Sequence, residues 1–269
     1  MSSQTSMRRP GIWILRNADI GFIITGIGFG TTERKRIIGM IESFLNSIAQ
    51  VLHIKRHVFV DAAEQKETKN TISFAISACD EADQLRRLLD FLAPYCRLGD
   101  EIIVQTDSRK ATKEMREVIQ AYRSVISTRA TFAFDHDFAQ LKNHLNTLCH
   151  GDWIFQLDAD ECPSAFLMEH LRTILCANVA VEMIKLPRIN VFVNDANEVE
   201  ESHVAWPDYQ GRLYRNIPQR IQWYRPIHEK IQGYKAYTYL PKDDRYALLH
   251  TKNKEQDQRK WQTWKEQYQ

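Results

Sequence analysis

The stretch GDWIFQLDADECP, residues 151 to 163, carries an apolar segment straight into three acids, Asp158, Asp160 and Glu161. A short run this apolar, bounded by Gly151 and by the acids, reads as a strand driven through the interior, with its charge at the tip. The pattern around it alternates strand and helix with short connections. Upstream, TISFAISA (71 to 78), DEIIVQTD (100 to 107) and ATFAFD (130 to 135) read as strands. Helices are predicted between them: EADQLRRLLDFLAPY with Leu85, Leu88, Leu89 and Leu92 inward and a stop near Pro94; residues 111 to 123 with Met115, Val118, Ile119 and Tyr122 on one side; and DFAQLKNHLNTLC with Phe138, Leu141, Leu145 and Leu148 inward. Another helix is expected over 164 to 176, followed by short strands and turns from 180 to 250. This alternation predicts an α/β fold with a mainly parallel sheet flanked by helices and a mixed β C-terminal part. The acids then stand at the carboxyl end of a central strand, where open α/β sheets bind ligands.

Composition excludes more than it selects. At 269 residues, 43% hydrophobic and 26% charged, the chain has material for a sizeable core and no mark of disorder. A net charge of +2 is too slight to argue for nucleic acid as a partner. The five cysteines, Cys79, Cys96, Cys149, Cys162 and Cys176, form no CxxC pair, which speaks against a disulfide framework or a structural zinc. In the N-terminal region, Arg16 and Asp19 divide an apolar run too short to span a bilayer, and RNAD supplies turn residues for a hairpin. A helix over 33 to 52, with Ile37, Ile41, Phe44, Ile48 and Val51 on one face, and a short strand HVFV at 57 to 60 complete a small α/β extension over 1–70. The polar run at 61 to 70 is the linker candidate, 71–250 is the main domain, and 251–269 is a helical tail with Trp261, Trp264 and Tyr268 on one face.

Two carboxylates spaced Asp-x-Asp at a strand end can aim at one point, and such oxygens suit Mg²⁺ or Mn²⁺, hard cations that also bind phosphate. The same triplet is common in turns, and Asp160 or Ser164 would serve equally as a helix cap. The context favours the first reading. GDWIFQLDADE, preceded by DFAQLKNHLNTLCH, resembles the segment of family 2 glycosyltransferases in which a helix leads into a strand ending in D-A-D-E. The resemblance covers about residues 71 to 250. It extends to ISFAISACDEADQLRRLLDFL, where the family's N-E turn reads CDE, and to WPDYQGRLYRN and RPIHEKI, similar to elements of a bacterial subgroup that includes lipopolysaccharide-core transferases.

That resemblance implies a GT-A fold, a nucleoside-diphosphate sugar donor, a hydroxyl acceptor on a glycan, lipid-linked or other molecule, and an inverting reaction assisted by Mn²⁺ or Mg²⁺. Carried over position by position, Glu81 and Asp107 match donor base and ribose contacts. Asp158 matches the acid near ribose and metal, and Asp160 the acid that ligates the metal. Lys142 and Asn143 stand where relatives often carry an Arg-Asn pair, which keeps the charge and loses the guanidinium geometry. Residues 1–70 match nothing in the family. Its members' role in surface-polysaccharide assembly implies a cytoplasmic enzyme compatible with peripheral membrane contact.

An attacking hydroxyl needs a general base within hydrogen-bond reach. Glu229 in IHE is the first candidate and Asp208 in WPDYQGR the second, against the alternative that Glu229 is a surface strand carboxylate in an ordinary ion pair. His250, closing the strand YALLH, is a candidate further metal ligand, and His228 a weaker one, against the commoner role of a polar strand end. Arg212 and Arg215, expected on one strand face, would hold the diphosphate or an acidic acceptor, or be solvated surface arginines. Two rival functions remain: a non-catalytic nucleotide-sugar binder on the same fold, and a metal-dependent phosphohydrolase or nuclease, which would want more acids and a more basic surface.

Overall fold

The computed structural model describes residues 53–60, 67–196 and 198–255. The N-terminal hairpin, the helix over 33 to 52, most of the linker and the aromatic face of the tail lie outside the described residues. The elements run β1 (Ile54–Lys55), β2 (Ile72–Ala78), α1 (Ala82–Leu92), β3 (Glu101–Asp107), α2 (Lys113–Ala121), β4 (Thr128–Phe132), α3 (Phe138–Asn146) and β5 (Trp153–Asp158). They continue with β6 (Glu161–Pro163), α4 (Ala165–Ala177), β7 (Met183–Leu186), β8 (Arg188–Val193), β9 (Val199–Val204), β10 (Gln210–Arg215), β11 (Gln222–Tyr224), β12 (Lys230–Gln232), β13 (Ala236–Tyr239) and β14 (Leu248–Asn253).

An eight-stranded sheet, in the order β1-β13-β7-β10-β5-β2-β3-β4, forms the centre. All its pairs are parallel except those that β10 makes with β5 and β7. This is the expected fold: an α/β domain built on a mainly parallel sheet flanked by helices. Strand β5 is buried up to its last residue because both faces are covered. Trp153, Phe155 and Leu157 enter a core shared with Leu85, Leu88, Leu89 and Leu92 of α1, Met115 and Val118 of α2, and Leu167 and Leu171 of α4. On the other face Ile154 joins Leu145 of α3, Tyr214 of β10 and Trp223 of β11. A second sheet, in the order β6-β14-β8-β9, stands beyond the acidic tip, and β11 and β12 pair separately.

Local chemistry explains most boundaries. Thr112, Asp137 and Ser164 cap α2, α3 and α4 by accepting the backbone N–H of Met115, Gln140 and Leu167 at 3.1, 2.9 and 3.1 Å. Pro94 follows the end of α1 inside a 3₁₀ turn, as expected from its missing N–H. Three elements differ from the sequence reading. The strand expected at 57 to 60 lies instead at Ile54–Lys55, where parallel pairing with β13 supplies the hydrogen bonds that local pattern does not show. Strand β4 starts at Thr128 and ends at Phe132, because its register follows Ile103 to Asp107 of β3. Strand β14 runs past His250 to Asn253, its polar end paired with Val191 to Val193 of β8.

Gly151 sits where no side chain fits. A Cβ there would lie 2.6 Å from the Ser73 backbone nitrogen, while the Gly151 N–H donates to Ser73 Oγ at 2.8 Å. Backbone cannot retreat as a side-chain tip can, so Gly151→Ala is expected to cost about 1–3 kcal/mol as overpacking. Guanidinium denaturation checks this; an unchanged midpoint would mean that the two strands separate freely at this point.

Candidate functional site

The acids of the DADE segment stand at the carboxyl rim of the large sheet, between it and the small one. Ser77 near the end of β2 pairs in register with Asp158, and its hydroxyl donates to Asp158 Oδ1 at 2.7 Å. Asp158 Oδ2 receives Arg212 Nη2 at 2.5 Å and Lys142 Nζ at 3.3 Å. Arg212 Nη2 also reaches Glu161 Oε1 at 2.8 Å, and Arg188 Nη1 meets the same oxygen at 3.0 Å. Lys142 Nζ donates to Glu229 Oε1 at 2.7 Å and lies 4.7 Å from the centroid of the Trp223 ring. Arg188 grips Asp208 Oδ2 through Nη2 at 2.7 Å and Nε at 3.0 Å, and Asn190 Nδ2 donates to that oxygen at 2.9 Å.

The small sheet completes the chain of contacts. His250 stands opposite both Glu161 of β6 and Asn190 of β8 in register. Its Nδ1 lies 2.9 Å from Asn190 Oδ1, and its Nε2 lies 3.2 Å from Asp160 Oδ2. The Asn190 amide is oriented by its Nδ2, which donates to the Val204 carbonyl at 3.0 Å as well as to Asp208. Its oxygen therefore faces His250, and Nδ1 must carry the proton. Nε2 is left either as an imidazolium donor to Asp160 or as a lone pair beside a carboxylate. An unbroken line of polar contacts thus joins Glu229, Lys142, Asp158, Arg212, Glu161, Arg188, Asp208, Asn190, His250 and Asp160. It holds five carboxylates against three permanent cations, leaving two negative charges in excess.

The charges are set by one another. Burial alone would raise the Asp158 carboxyl, but Arg212, Lys142 and the Ser77 hydroxyl hold it well below the ordinary carboxylate range. Burial likewise opposes ionisation of Asp160, and the His250 hydrogen bond overcomes it to lower that carboxyl. For Asp208 the lowering comes against burial from Asn190 and Arg188. The Arg212 guanidinium is raised despite burial, by Asp158 and Glu161.

Of the expected site residues, the structure brings Lys142, Asp158, Arg212 and Glu229 into direct contact and joins Asp160 to His250. Among the described residues no three of His, Cys, Asp and Glu converge as a metal-holding group. Asp208 lies in the network but is fastened by Arg188, Asn190 and Gln210, whose Nε2 donates to Oδ1 at 2.9 Å. Glu81 and Asp107 stand at the neighbouring strand ends, both engaged with backbone: Glu81 Oε2 accepts the N–H of Cys79 at 2.8 Å, and Asp107 Oδ1 accepts that of Arg109 at 3.0 Å. His228 is exposed, with φ 53°. Arg215, expected to share a face with Arg212, is separated from it. Three positions apart on one strand, the two point to opposite faces: Arg215, the last residue of β10, lies 4.3 Å from the Trp153 ring centroid, while Arg212 shares the face of Tyr214 and Trp223. Sequence reasoning missed Arg188 and Asn190 and assigned Glu161 no role. Their only signal is an alternation in RINVFV that puts both on one face of a strand.

No family model matches the chain, and no curated protein matches it in sequence. Among solved structures, residues 1–349 of S. aureus TarS superpose with a TM-score of 0.46 at 12% identity, over 68% of this chain and 60% of that one. The same fragment in complex with UDP-GlcNAc gives 0.46 at 12% identity, over 69% and 59%. The mannosyltransferase PcManGT from Pyrobaculum calidifontis, in complex with GDP-Man and Mn2+, gives 0.40 at 16% identity, over 56% and 47%. The chain therefore spans 60% of the length of the TarS fragment.

Because Asp158, Asp160 and Asp208 are held low, their ionisation contributes stability that is full above about pH 4, the unfolded carboxylate range, and is lost as pH falls through it toward the folded values. Asp158→Asn is expected to flatten this acid limb. It should also lower stability at pH 7 toward the lower end of the about 3–5 kcal/mol typical of a broken buried pair, since Lys142 and Arg212 lose a shared partner. Urea titrations from pH 3 to pH 7 check both; an acid limb as steep as in the parent protein would place the titration elsewhere.

Proposed function

We propose that this chain is a metal-assisted, inverting glycosyltransferase that moves a sugar from a nucleoside-diphosphate donor to an acceptor hydroxyl. The observation that supports it most is the network at the sheet's rim: a local excess of two negative charges ending in Asp160 and His250, on a chain whose overall charge is +2. The donor set fits a divalent ion. With Nδ1 protonated toward Asn190, His250 presents Nε2 to the side where Asp160 Oδ2 stands, a nitrogen and a carboxylate oxygen of the kind Mn²⁺ accepts. Asp160 and His250 would hold the ion with Asp158 beside them, and when bound it would neutralise negative charge building on the departing diphosphate.

The chain's own residues supply the rest. Glu229 is the better base of the two candidates. Lys142 occupies one of its oxygens, whereas Asp208 has both oxygens engaged and a carboxyl held low, which makes it a weak proton acceptor. In the proposed step Glu229 takes the acceptor's hydroxyl proton as that oxygen bonds to the anomeric carbon. The bond from that carbon to the phosphate oxygen breaks on the opposite face, and its electron pair leaves with the nucleoside diphosphate. Lys142 ties Glu229 to Asp158, fixing base and donor site on one rigid mount, and Glu81 and Asp107 on adjoining strands would meet the nucleoside. Work at the cytoplasmic side of a membrane in polysaccharide assembly is part of this reading; none of the described helices is long and apolar enough to cross one.

Thermal melting with UDP, GDP, dTDP and CMP, each with and without Mn²⁺, tests the donor site. The expected result is a shift that requires nucleotide and cation together and disappears in Asp160→Ala; a shift given only by oligonucleotides would favour the nuclease reading. Glu229→Gln should keep the nucleotide shift and lose transfer by about 10²–10⁴-fold. Undiminished turnover would remove Glu229 from the mechanism, and absence of turnover in the parent protein with intact binding would favour the non-catalytic binder.

A further inference from the structure

On the sheet face that packs against β11 and β12, Lys55 and Lys185 stand among tyrosine rings, and Lys230 of β12 follows Glu229 in the chain; among the described residues none of the three has an acidic partner. Lys185 of β7 lies on the same face as Met183, which packs with Tyr214 and Ile231. Its Nζ is 5.2 Å from the Tyr237 ring centroid and 5.3 Å from that of Tyr239. Lys55 of β1 places its Nζ 4.8 Å from Tyr239 from the other side, and the two tyrosine rings are 5.7 Å apart. Lys230 follows Glu229 directly, and its charge, together with burial, holds the Lys185 ammonium below its ordinary pKa. Among the described residues no carboxylate lies within ion-pair distance of Lys55, Lys185 or Lys230. The patch adjoins the network: Lys185 stands opposite Gly211 in register, and the next residue is Arg212.

A half-buried ammonium beside another cation is costly unless something else compensates it. Ring faces compensate in part and leave the positive potential in place. Tyrosine rings alternating with ammonium groups provide flat apolar faces for sugar rings and point charges for anionic substituents. Tyr237 and Tyr239 with Lys55 and Lys185 present both at once, and Lys230 is the residue that follows the proposed base.

We infer that this face is the acceptor site and that the acceptor is an acidic glycan, whose sugar rings lie against Tyr237 and Tyr239 while its carboxylate or phosphate groups meet Lys55, Lys185 and Lys230. The inference rests on the transferase reading for its place in the reaction, but binding can be tested without it. Isothermal titration of the full chain would compare a glucuronate-containing oligosaccharide, a phosphorylated mannan oligosaccharide and neutral maltoheptaose. One or both acidic glycans should bind at least about tenfold more tightly than maltoheptaose at low salt, and weaken as salt rises. The stronger of the two identifies the anionic group. Lys185→Gln and the exposed change Lys230→Gln should each reduce that binding, and Tyr239→Leu should reduce it while retaining its salt dependence. The melting shift with nucleotide and Mn²⁺ should stay the same in all three variants. Equal affinity for maltoheptaose, binding unchanged in the lysine variants, or tighter binding of a single-stranded oligonucleotide lost in those variants would each overturn the inference. A missing nucleotide shift alongside specific glycan binding would sink the transferase reading and leave this site standing.

Discussion

The arrangement depends on a buried guanidinium. Arg212, on an irregular step of the single antiparallel strand in the large sheet, bonds Asp158 and Glu161 at once. Glu161 is fully buried and would be untenable without it, and Asp158 would lose the group that does most to keep it ionised. Arg188 secures Glu161 from the other side. These pairs do not make the fold stable in the way the Leu-rich core does, since desolvating such charges cancels much of their attraction. Their effect is positional: they hold ionised carboxylates at fixed points near a surface where a polyanion and a cation could be received.

Two sheets make this possible, and their registers explain which residues meet. In the large sheet, parallel pairing brings the ends of β3, β2 and β5 to one rim with Asp107, Ser77 and Asp158. In the small sheet, antiparallel pairing of β6 with β14 and parallel pairing of β14 with β8 place Glu161, His250 and Asn190 in one row. Residues 160 and 250 are thereby joined through a strand pairing that begins three residues past the tip of β5. The same face carries the half-buried Lys185, Tyr237 and Tyr239, so that the proposed donor site and the inferred acceptor surface would share one side of the central sheet.

Much of this is legible in the chain. The periodicities of Leu85 to Leu92 and of Met115 to Tyr122, and the apolar run ending at Asp158, are local, and local patterns predict local elements. Lys142, Asp158, Arg212 and Glu229 each stand out in the sequence through a motif, although nothing in the pattern says that Lys142 bridges Glu229 to Asp158. Asp208 shows the limit. As a letter in WPDYQGR it is the second candidate base after Glu229, and only its contacts with Arg188, Asn190 and Gln210 show a carboxylate already committed. Arg212 and Arg215 are a different case, since a period of two already puts residues three apart on opposite faces and the structure follows that rule.

By itself the sequence determined the alternating α/β plan and the delivery of acids to the end of a buried strand, because these follow from side-chain period and from turn residues a few positions apart. Only the tertiary structure decided which charges face which, how Asn190 orients His250, and where lysines lie against tyrosine rings. Those outcomes depend on pairings between residues tens of positions apart, and the energy of a charge is set by its neighbours in space rather than by its neighbours in the chain.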